Sequence, residues 1–299
     1  MDRSIGCSSR MLRTDTLQLH AYVPLPRTGL PTPDMSAMLN ALWAYRGFVL
    51  GSVKREFQLK YRNSLLGAAW TVLNPLAMIL VYTLIFSQVM SAKLPGVDST
   101  FAYSIYLCAG VLTWGLFAEI VGRAQNIFLE HANLIKKLSF PRMTLPVIVV
   151  LGAGVNFAII FSLFLLFLLL TDNLPGWSLL AMVPILVIQV AFSVGLGVTL
   201  GVLNVFFRDV GQFFGIFLQF WFWLTPIVYP ASVLPESVQR LLLPWNPMVP
   251  IIAAYQGIFV FGQWPEWSTL AFPGVVALVL CVFGLRLFRR RAGEMVDEL

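Results

Sequence analysis

The stretch from Met143 to Leu170 reads MTLPVIVVLGAGVNFAIIFSLFLLFLLL, a run without a single Asp, Glu, Lys, Arg or His. A helix rises about 1.5 Å per residue and the hydrocarbon core of a bilayer is ~30 Å thick, so this run is long enough to cross it. Peptide groups inside lipid have no water to bond with, which favours a helix over an open strand. The run therefore predicts a membrane-spanning helix.

Five further apolar runs of the same kind predict an all-α integral membrane protein with six transmembrane helices. The predicted spans are Leu65–Met90, Tyr103–Phe128, Met143–Leu170, Ser178–Phe206, Gln212–Tyr229 and Leu270–Phe288. The composition agrees, since 58% of the 299 residues are hydrophobic and only 11% are charged. Water-soluble domains carry about 25% charged residues, so this class is excluded.

The basic residues fall on alternate sides of these runs. Of the 20 Lys and Arg residues, only Lys93 and Arg240 lie in the loops of the second side. Because Lys and Arg are enriched in cytoplasmic loops, the pattern predicts a multi-pass protein of the bacterial inner membrane with both termini in the cytoplasm. The pI of about 9.4 follows from this topology and does not indicate a nucleic-acid partner.

Residues 1–37 differ in composition from the rest of the chain. They are polar, contain four prolines and show no helical period, so they predict a disordered cytoplasmic tail. Met35 or Met38 is an alternative start, in which case the tail is an artefact of the reading frame.

Residues 38–64 predict an amphipathic helix that lies along the cytoplasmic membrane surface. Leu50, Val53 and Phe57 share one helical face, whereas charged residues project elsewhere. Two interpretations are open: the helix is a surface anchor only, or its basic residues also hold an anionic headgroup or pyrophosphate. The candidates for the second role are Lys54, Arg55, Lys60 and Arg62.

Residues 129–141 connect the second and third predicted spans. Apolar residues alternate there with charges, and Pro141 is suited to end a short helix. Such a helix is expected to expose apolar side chains, among them Leu134 and Ile135, below the membrane. It is either a docking helix for a cytosolic partner or a solvated connector.

Residues 230–268, between the fifth and sixth predicted spans, are too apolar for an ordinary loop. Pro235, Pro244, Pro247 and Pro250 divide them into pieces too short to cross a bilayer. Non-helical backbone at membrane depth must be shielded by protein or line a wet cavity. The region therefore predicts either an outer re-entrant helical hairpin at a channel mouth or a segment packed on the outer leaflet.

The sequence contains no motif for chemistry within this chain. It has no Walker A, HExxH or GxSxG motif, and its two histidines lie outside the spans. We therefore predict no catalytic residue, no metal, no resident cofactor and no enzymatic activity. Glu119 and Arg123, four residues apart near the cytoplasmic end of the second span, are expected to form an ion pair. The pair is either a structural brace or, as charges within a membrane span often are, a functional site.

Aromatic side chains form stripes on two spans. Ring faces suit a carbohydrate that must slide, although ordinary packing also explains such stripes. The candidate channel-lining residues are Tyr103, Tyr106, Trp114, Phe117, Phe213, Phe217, Phe220 and Trp221. Two small-residue motifs, at Gly197 and Gly201 and at Gly211 and Gly215, predict close helix contacts within the chain or in a homodimer.

Several sequence motifs occur in one order along the chain from Leu39 onward. They are REFQLKYRNSLLGAAW at 55–70 followed by LNPL at 73–76, NLIKK at 133–137 with Phe140 and Pro141, FRDV at 207–210, TPIVY at 225–229 and WNP at 245–247. In sequence, order and spacing they resemble the ABC-2-type polysaccharide export permeases.

The resemblance implies a homodimeric transmembrane subunit that binds two copies of a separate cytosolic ATPase and exports lipid-linked glycan of O-antigen type. ATP and Mg²⁺ would then bind the partner subunit. The implied coupling residues are Glu130, Asn133, Leu134, Ile135, Lys136, Lys137, Phe140 and Pro141. The lipid pyrophosphate would enter near the basic residues of the interfacial helix, and the polymer would thread the aromatic stripes.

Other functions predict different features. An ABC-2 exporter of a small hydrophobic molecule or drug would share the architecture. An ion-driven carrier needs buried titratable groups, whereas only Glu119 lies in a span, near its end. A membrane glycosyltransferase needs paired carboxylates, whereas the acidic residues of the outer loops occur singly.

Overall fold

Helices run through the parts of the chain that the computed structural model describes, which are residues 43–60, 62, 67–85, 101–137 and 142–299. In chain order the α-helices are α1 (Arg46–Lys60), α2 (Trp70–Tyr82), α3 (Ala102–Ala124), α4 (Ile127–Glu130), α5 (Ala132–Lys137), α6 (Thr144–Leu170), α7 (Met182–Phe206), α8 (Asp209–Leu224), α9 (Glu236–Leu241), α10 (Met248–Phe261), α11 (Trp267–Arg291) and α12 (Glu294–Glu298). The described residues contain no β-strand, which confirms the all-α prediction. The predicted tail, residues 1–37, lies outside the described residues.

Four helices within the described ranges are long and apolar enough to cross a bilayer. They are α3, α6, α11 and the continuous segment Gly176–Phe206, in which a 3-10 turn leads into α7. These helices coincide with the predicted second, third, sixth and fourth spans. The protein is thus a multi-pass membrane protein.

The other two predicted spans are described as shorter apolar or partly apolar helices. The first is helical from Trp70 and remains apolar through Ile85, and residues 86–100 lie outside the described chain. The fifth is α8, which ends at Leu224 rather than at the predicted Tyr229. Thr225 adopts extended backbone angles, with φ −101 and ψ 130, because the ring of a following proline disfavours the helical conformation.

The predicted outer region consists of short helical pieces. Two 3-10 turns flank α9, and α10 follows after Pro247. At about 1.5 Å per residue, the 14 residues of α10 are too short to span a bilayer. Gly262, with a φ of 63, ends α10 in the left-handed conformation that glycine adopts without strain. α10 packs against α3, α7 and α11.

Small residues allow α7 to pack closely against two neighbours. An added Cβ at Gly195 would lie 2.6 Å from the Cys281 nitrogen of α11, and one at Gly201 would lie 2.6 Å from the Ala124 oxygen of α3. One at Gly197 would meet the Ala124 Cβ at 2.6 Å. Gly197 and Gly201 therefore mediate packing within the protomer, which decides between the two predicted uses of that motif.

The bundle has two ends that differ in charge. We call the end that holds Arg123, Arg142, Arg208 and Arg291 the basic end. There α3, α7 and α11 end and α6 begins, and α1 packs against α6. The opposite end holds the segment between α8 and α11.

Candidate functional site

At the basic end, α1 is joined to the spans by a group of polar side chains. The guanidinium of Arg123 on α3 forms an ion pair with Glu56 of α1, and its Nη1 lies 3.5 Å from Oε1 of Glu119. Asn156 of α6 donates from Nδ2 to Glu119 Oε2 over 2.8 Å. The predicted pair of Glu119 and Arg123 is confirmed, and the sequence analysis missed Glu56 and Asn156.

Gly152 on α6 leaves room for the Arg123 guanidinium because it has no side chain. A Cβ at that position would lie 2.9 Å from Nη1 of Arg123. The same side chains, together with Val53 and Phe57, line a cavity of about 230 Å³. Polar groups from α1, α3 and α6 therefore meet at one place.

A second cavity, of about 340 Å³, lies between α1 and the connector of α3 and α6. Arg55 and Glu56 line it from α1, and Glu130, His131 and Leu134 line it from the connector. Arg55 belongs to the predicted headgroup site, whereas Glu130 and Leu134 belong to the predicted coupling segment, residues 129–141. Residues with different predicted roles thus line one pocket. Lys54 and Arg62 are exposed, and nothing is described of the Lys60 side chain.

The connector itself forms two short helices, α4 and α5. Glu130, Asn133 and Lys136 are exposed, and the His131 ring donates from Nδ1 to the Ile127 carbonyl over 3.0 Å. The expected exposed apolar surface is wrong for Ile135, which is buried. The helix that carries it, α5, packs against α4 and α12. The Lys137 side chain is not described, and Phe140 and Pro141 lie outside the described residues.

Asn204 ties three helix ends together at the basic end. Its Nδ2 donates to the Gln125 carbonyl over 2.9 Å and to Asn126 Oδ1 over 3.0 Å. Its Oδ1 accepts the backbone N–H of Gly211 at the start of α8. Sequence reasoning missed this residue, although a lone asparagine within an apolar run was a usable signal, since buried polar groups need partners.

At the opposite end, three side chains donate hydrogen bonds to backbone carbonyls of the non-helical segment that follows Leu224, the last residue of α8. Tyr103 donates to the Val228 carbonyl over 2.8 Å, and Tyr106 donates to that of Tyr229 over 3.0 Å. Gln256 of α10 donates to the Ile227 carbonyl over 3.2 Å. The non-helical segment is thereby shielded by protein, as such backbone requires inside a membrane protein.

Asn246 joins two of the motifs noted in the sequence. Its Oδ1 accepts from Trp221 Nε1 over 2.9 Å and from the Met248 N–H over 3.0 Å. Its Nδ2 donates to Thr225 Oγ1 over 3.0 Å. WNP and TPIVY therefore meet in space, which places the start of α10 against the end of α8.

The predicted channel aromatics occupy two environments. Phe117 is 0% exposed and stacks on Phe192, with ring centroids 5.5 Å apart. Phe213 and Phe220 of α8 are instead 70% and 65% exposed. Of the others, Tyr106 and Trp114 are buried, Tyr103 and Trp221 are half-buried and Phe217 is exposed. Among the predicted channel residues, those with exposed rings all lie on α8.

Comparison with known proteins agrees with this architecture. Residues 49–260 match the family model described as ABC-2 type transporter. The chain is 32% identical over 266 residues to the O-antigen export system permease protein RfbA of Myxococcus xanthus, covering 89% of this chain and 100% of that protein.

Two more distant relatives carry related names. An O-antigen export system permease protein RfbA of Klebsiella pneumoniae is 30% identical over 79% of this chain and 88% of its own length. The polysialic acid transport protein KpsM of Escherichia coli is 22% identical over 82% of this chain and 93% of its own length. With the helical bundle and the family match in agreement, the chain belongs to the ABC-2 type transporter family of membrane proteins.

Proposed function

We propose that this chain is the transmembrane subunit of an ABC transporter that exports lipid-linked polysaccharide of O-antigen type across the bacterial inner membrane. The observation that carries the proposal is the similarity to O-antigen export permeases, which extends over 89% of the chain for the Myxococcus xanthus protein. Asn246 supports it, because this residue connects two of the motifs that carry the resemblance.

ATP is hydrolysed by a separate cytosolic subunit that docks on α4 and α5. Glu130, Asn133 and Lys136 face outward on this connector and offer polar contacts, while Leu134 and Ile135 hold it to the bundle. Lys137, Phe140 and Pro141 complete the coupling segment. The basic end is then cytoplasmic, as the positive-inside rule favours, and both termini lie on that side.

Two copies of the chain form the transport unit. The exposed rings of α8, Phe213, Phe217 and Phe220, lie at i, i+4 and i+7 and so form one apolar face of that helix. A second protomer facing this surface would enclose a path lined by rings. Trp221 packs on Phe217 of that face, and Trp114 and Phe117 pack on Trp221. Tyr103 and Tyr106 contact the segment that follows α8.

The charged end of the lipid carrier binds at α1. Lys54 and Arg55 are exposed on this helix, and Arg62 follows it. Together with Lys60 they supply the positive charge that a pyrophosphate needs. The pocket that Arg55 shares with Glu130 and Leu134 gives headgroup binding a direct route to the coupling segment.

The test is whether this chain and its partner ATPase restore export in cells. Both are expressed in a strain from which the gene for this chain has been deleted, and surface polysaccharide is stained alongside an assay of drug accumulation. ATP hydrolysis is measured on the purified complex. We expect surface glycan to return and ATP hydrolysis to rise with lipid-linked glycan. Unchanged surface glycan in the deletion strain would refute the proposal, and restored drug efflux alone would identify a small-molecule exporter.

A further inference from the structure

The short helix α12 packs back against the basic end of the bundle. After α11 the chain turns at Ala292 and Gly293, and α12 then contacts α5 and α7. The Met295 side chain is 1% exposed, and Val296 and Leu299 pack on the same core. A helix of 5 residues is not stable by itself in water, so α12 owes its order to this packing.

The turn that leads into α12 is fixed on two further sides. The guanidinium of Arg291 forms an ion pair with Glu294 of α12. The same guanidinium lies 5.9 Å from the centre of the Phe206 ring, at the end of α7. These contacts hold α12 at a defined place relative to both α11 and α7.

The segment 292–299 contacts the coupling segment at α5 and also contacts the residue that follows the segment. α12 packs against α5, and Arg142, the first described residue after that segment, donates from its guanidinium to the Ala292 carbonyl. α5 has 6 residues and is also too short to hold its own shape. Its position therefore depends on the neighbours it packs against, α12 among them.

We propose that residues 292–299 form a brace that holds the coupling segment in place and passes its movement to α11, with Met295 as the positioning residue. This inference rests on the proposed role of the coupling segment. In chain order the segment joins α3 to α6, so those two spans receive its movement directly. The brace adds α11, and the close packing of Gly284 against Thr199 and Gly195 passes the movement on to α7.

The experiment compares Met295→Ala with Met295→Leu in the full complex with the ATPase. Val275→Ala, at an exposed position on α11, is the matched control for loss of side-chain volume. We expect Met295→Ala to keep its membrane level and its bound ATPase but to export roughly tenfold less glycan per ATP. Truncating a buried Met removes packing energy, and a helix this short cannot keep its position without it. Met295→Leu should restore the ratio, and Val275→Ala should leave it unchanged.

Amide hydrogen exchange tests the brace without reference to glycan. In Met295→Ala we expect the amides of α5 to exchange roughly tenfold faster, while those in the middle of α6 stay unchanged. Unchanged exchange in α5, unchanged export per ATP, or a loss that Met295→Leu does not rescue would overturn the brace. A wild-type complex that exports no glycan would instead refute the proposed function and leave the exchange result to decide on the brace.

Discussion

The guanidinium of Arg123 pairs with the carboxylate of Glu56, and this ion pair joins α1 to a membrane span. Arg123 also lies next to Glu119, which is held by Asn156 of α6. One arginine thus serves two carboxylates from two helices. Removing it takes away the cation that both carboxylates share, whereas removing Glu56 leaves Arg123 next to Glu119.

The strength of this pair can be measured by a double-mutant cycle of Glu56→Gln and Arg123→Gln. The two side chains are 44% and 28% exposed, so solvent screens the interaction. We expect a coupling energy of about 0.5–1 kcal/mol in thermal unfolding of the detergent-solubilised protein. The cycle for Glu236 and Arg240, whose side chains are 83% and 80% exposed, is the control and should give about zero. Equal values for the two cycles would contradict this account.

Gly201→Ala should destabilise the protein. The new methyl group would lie 2.6 Å from the Ala124 backbone oxygen, so α7 and α3 must separate. Overpacking of this kind costs about 1–3 kcal/mol, which lowers the unfolding temperature. Gly215→Ala is the matched control, because nothing lies within 4 Å of its added Cβ, and the higher helix propensity of Ala should stabilise α8. A similar shift for both variants would argue against close packing at Gly201.

Asn246→Leu should loosen the junction between α8 and α10. The change removes the acceptor for the Trp221 indole N–H and for the Met248 backbone N–H. Leaving such a donor without a partner costs about 1–3 kcal/mol. We expect the Trp221 emission to change and export to fall. Thr225→Val should have a smaller effect, because Asn246 then keeps its bonds to Trp221 and Met248; an equal effect would contradict this assignment.

Tyr106→Phe should expose the segment beyond α8. Its hydroxyl group serves the carbonyls of Tyr229 and Pro226, at 3.0 and 3.3 Å, and the ring alone cannot replace these bonds. We expect faster amide exchange in residues 227–233 with little change in α3 itself. Ser162→Ala on α6 is a control, since that hydroxyl bonds only to its own helix. Protection that survives Tyr106→Phe would show that the tyrosine hydroxyl is dispensable.

Sequence patterns predicted a structural feature correctly where the physical cause of that feature is local. Hydrophobic length predicted α3, α6, α7 and α11 because crossing a bilayer depends on a sum over neighbouring residues. Spacing of four residues predicted the pair of Glu119 and Arg123 for the same reason. The end of α8 was misplaced, although Pro226 carried the information in its effect on Thr225.

Contacts between distant parts of the chain were not predictable in this way. Glu56 reads as one more charge on an amphipathic helix, and Asn246 reads as part of a loop motif. Ile135 was expected to be exposed, yet it is 5% exposed on α5, a helix that packs against α12 from the far end of the chain. Each of these outcomes depends on which elements become neighbours, and neither hydropathy nor charge along the chain encodes that neighbourhood directly.

Three properties follow from the amino-acid sequence alone: the protein is a helical membrane protein, certain runs are long enough to cross a bilayer, and several motifs tie it to the ABC-2 family. These properties follow from transfer free energies and charges that add up residue by residue. The folded structure was needed to show which partners Arg123, Asn246 and Met295 have, and that Gly201 packs within the protomer. Hydrogen bonds, ion pairs and close packing need atoms at particular distances, and those distances exist only after the helices have assembled.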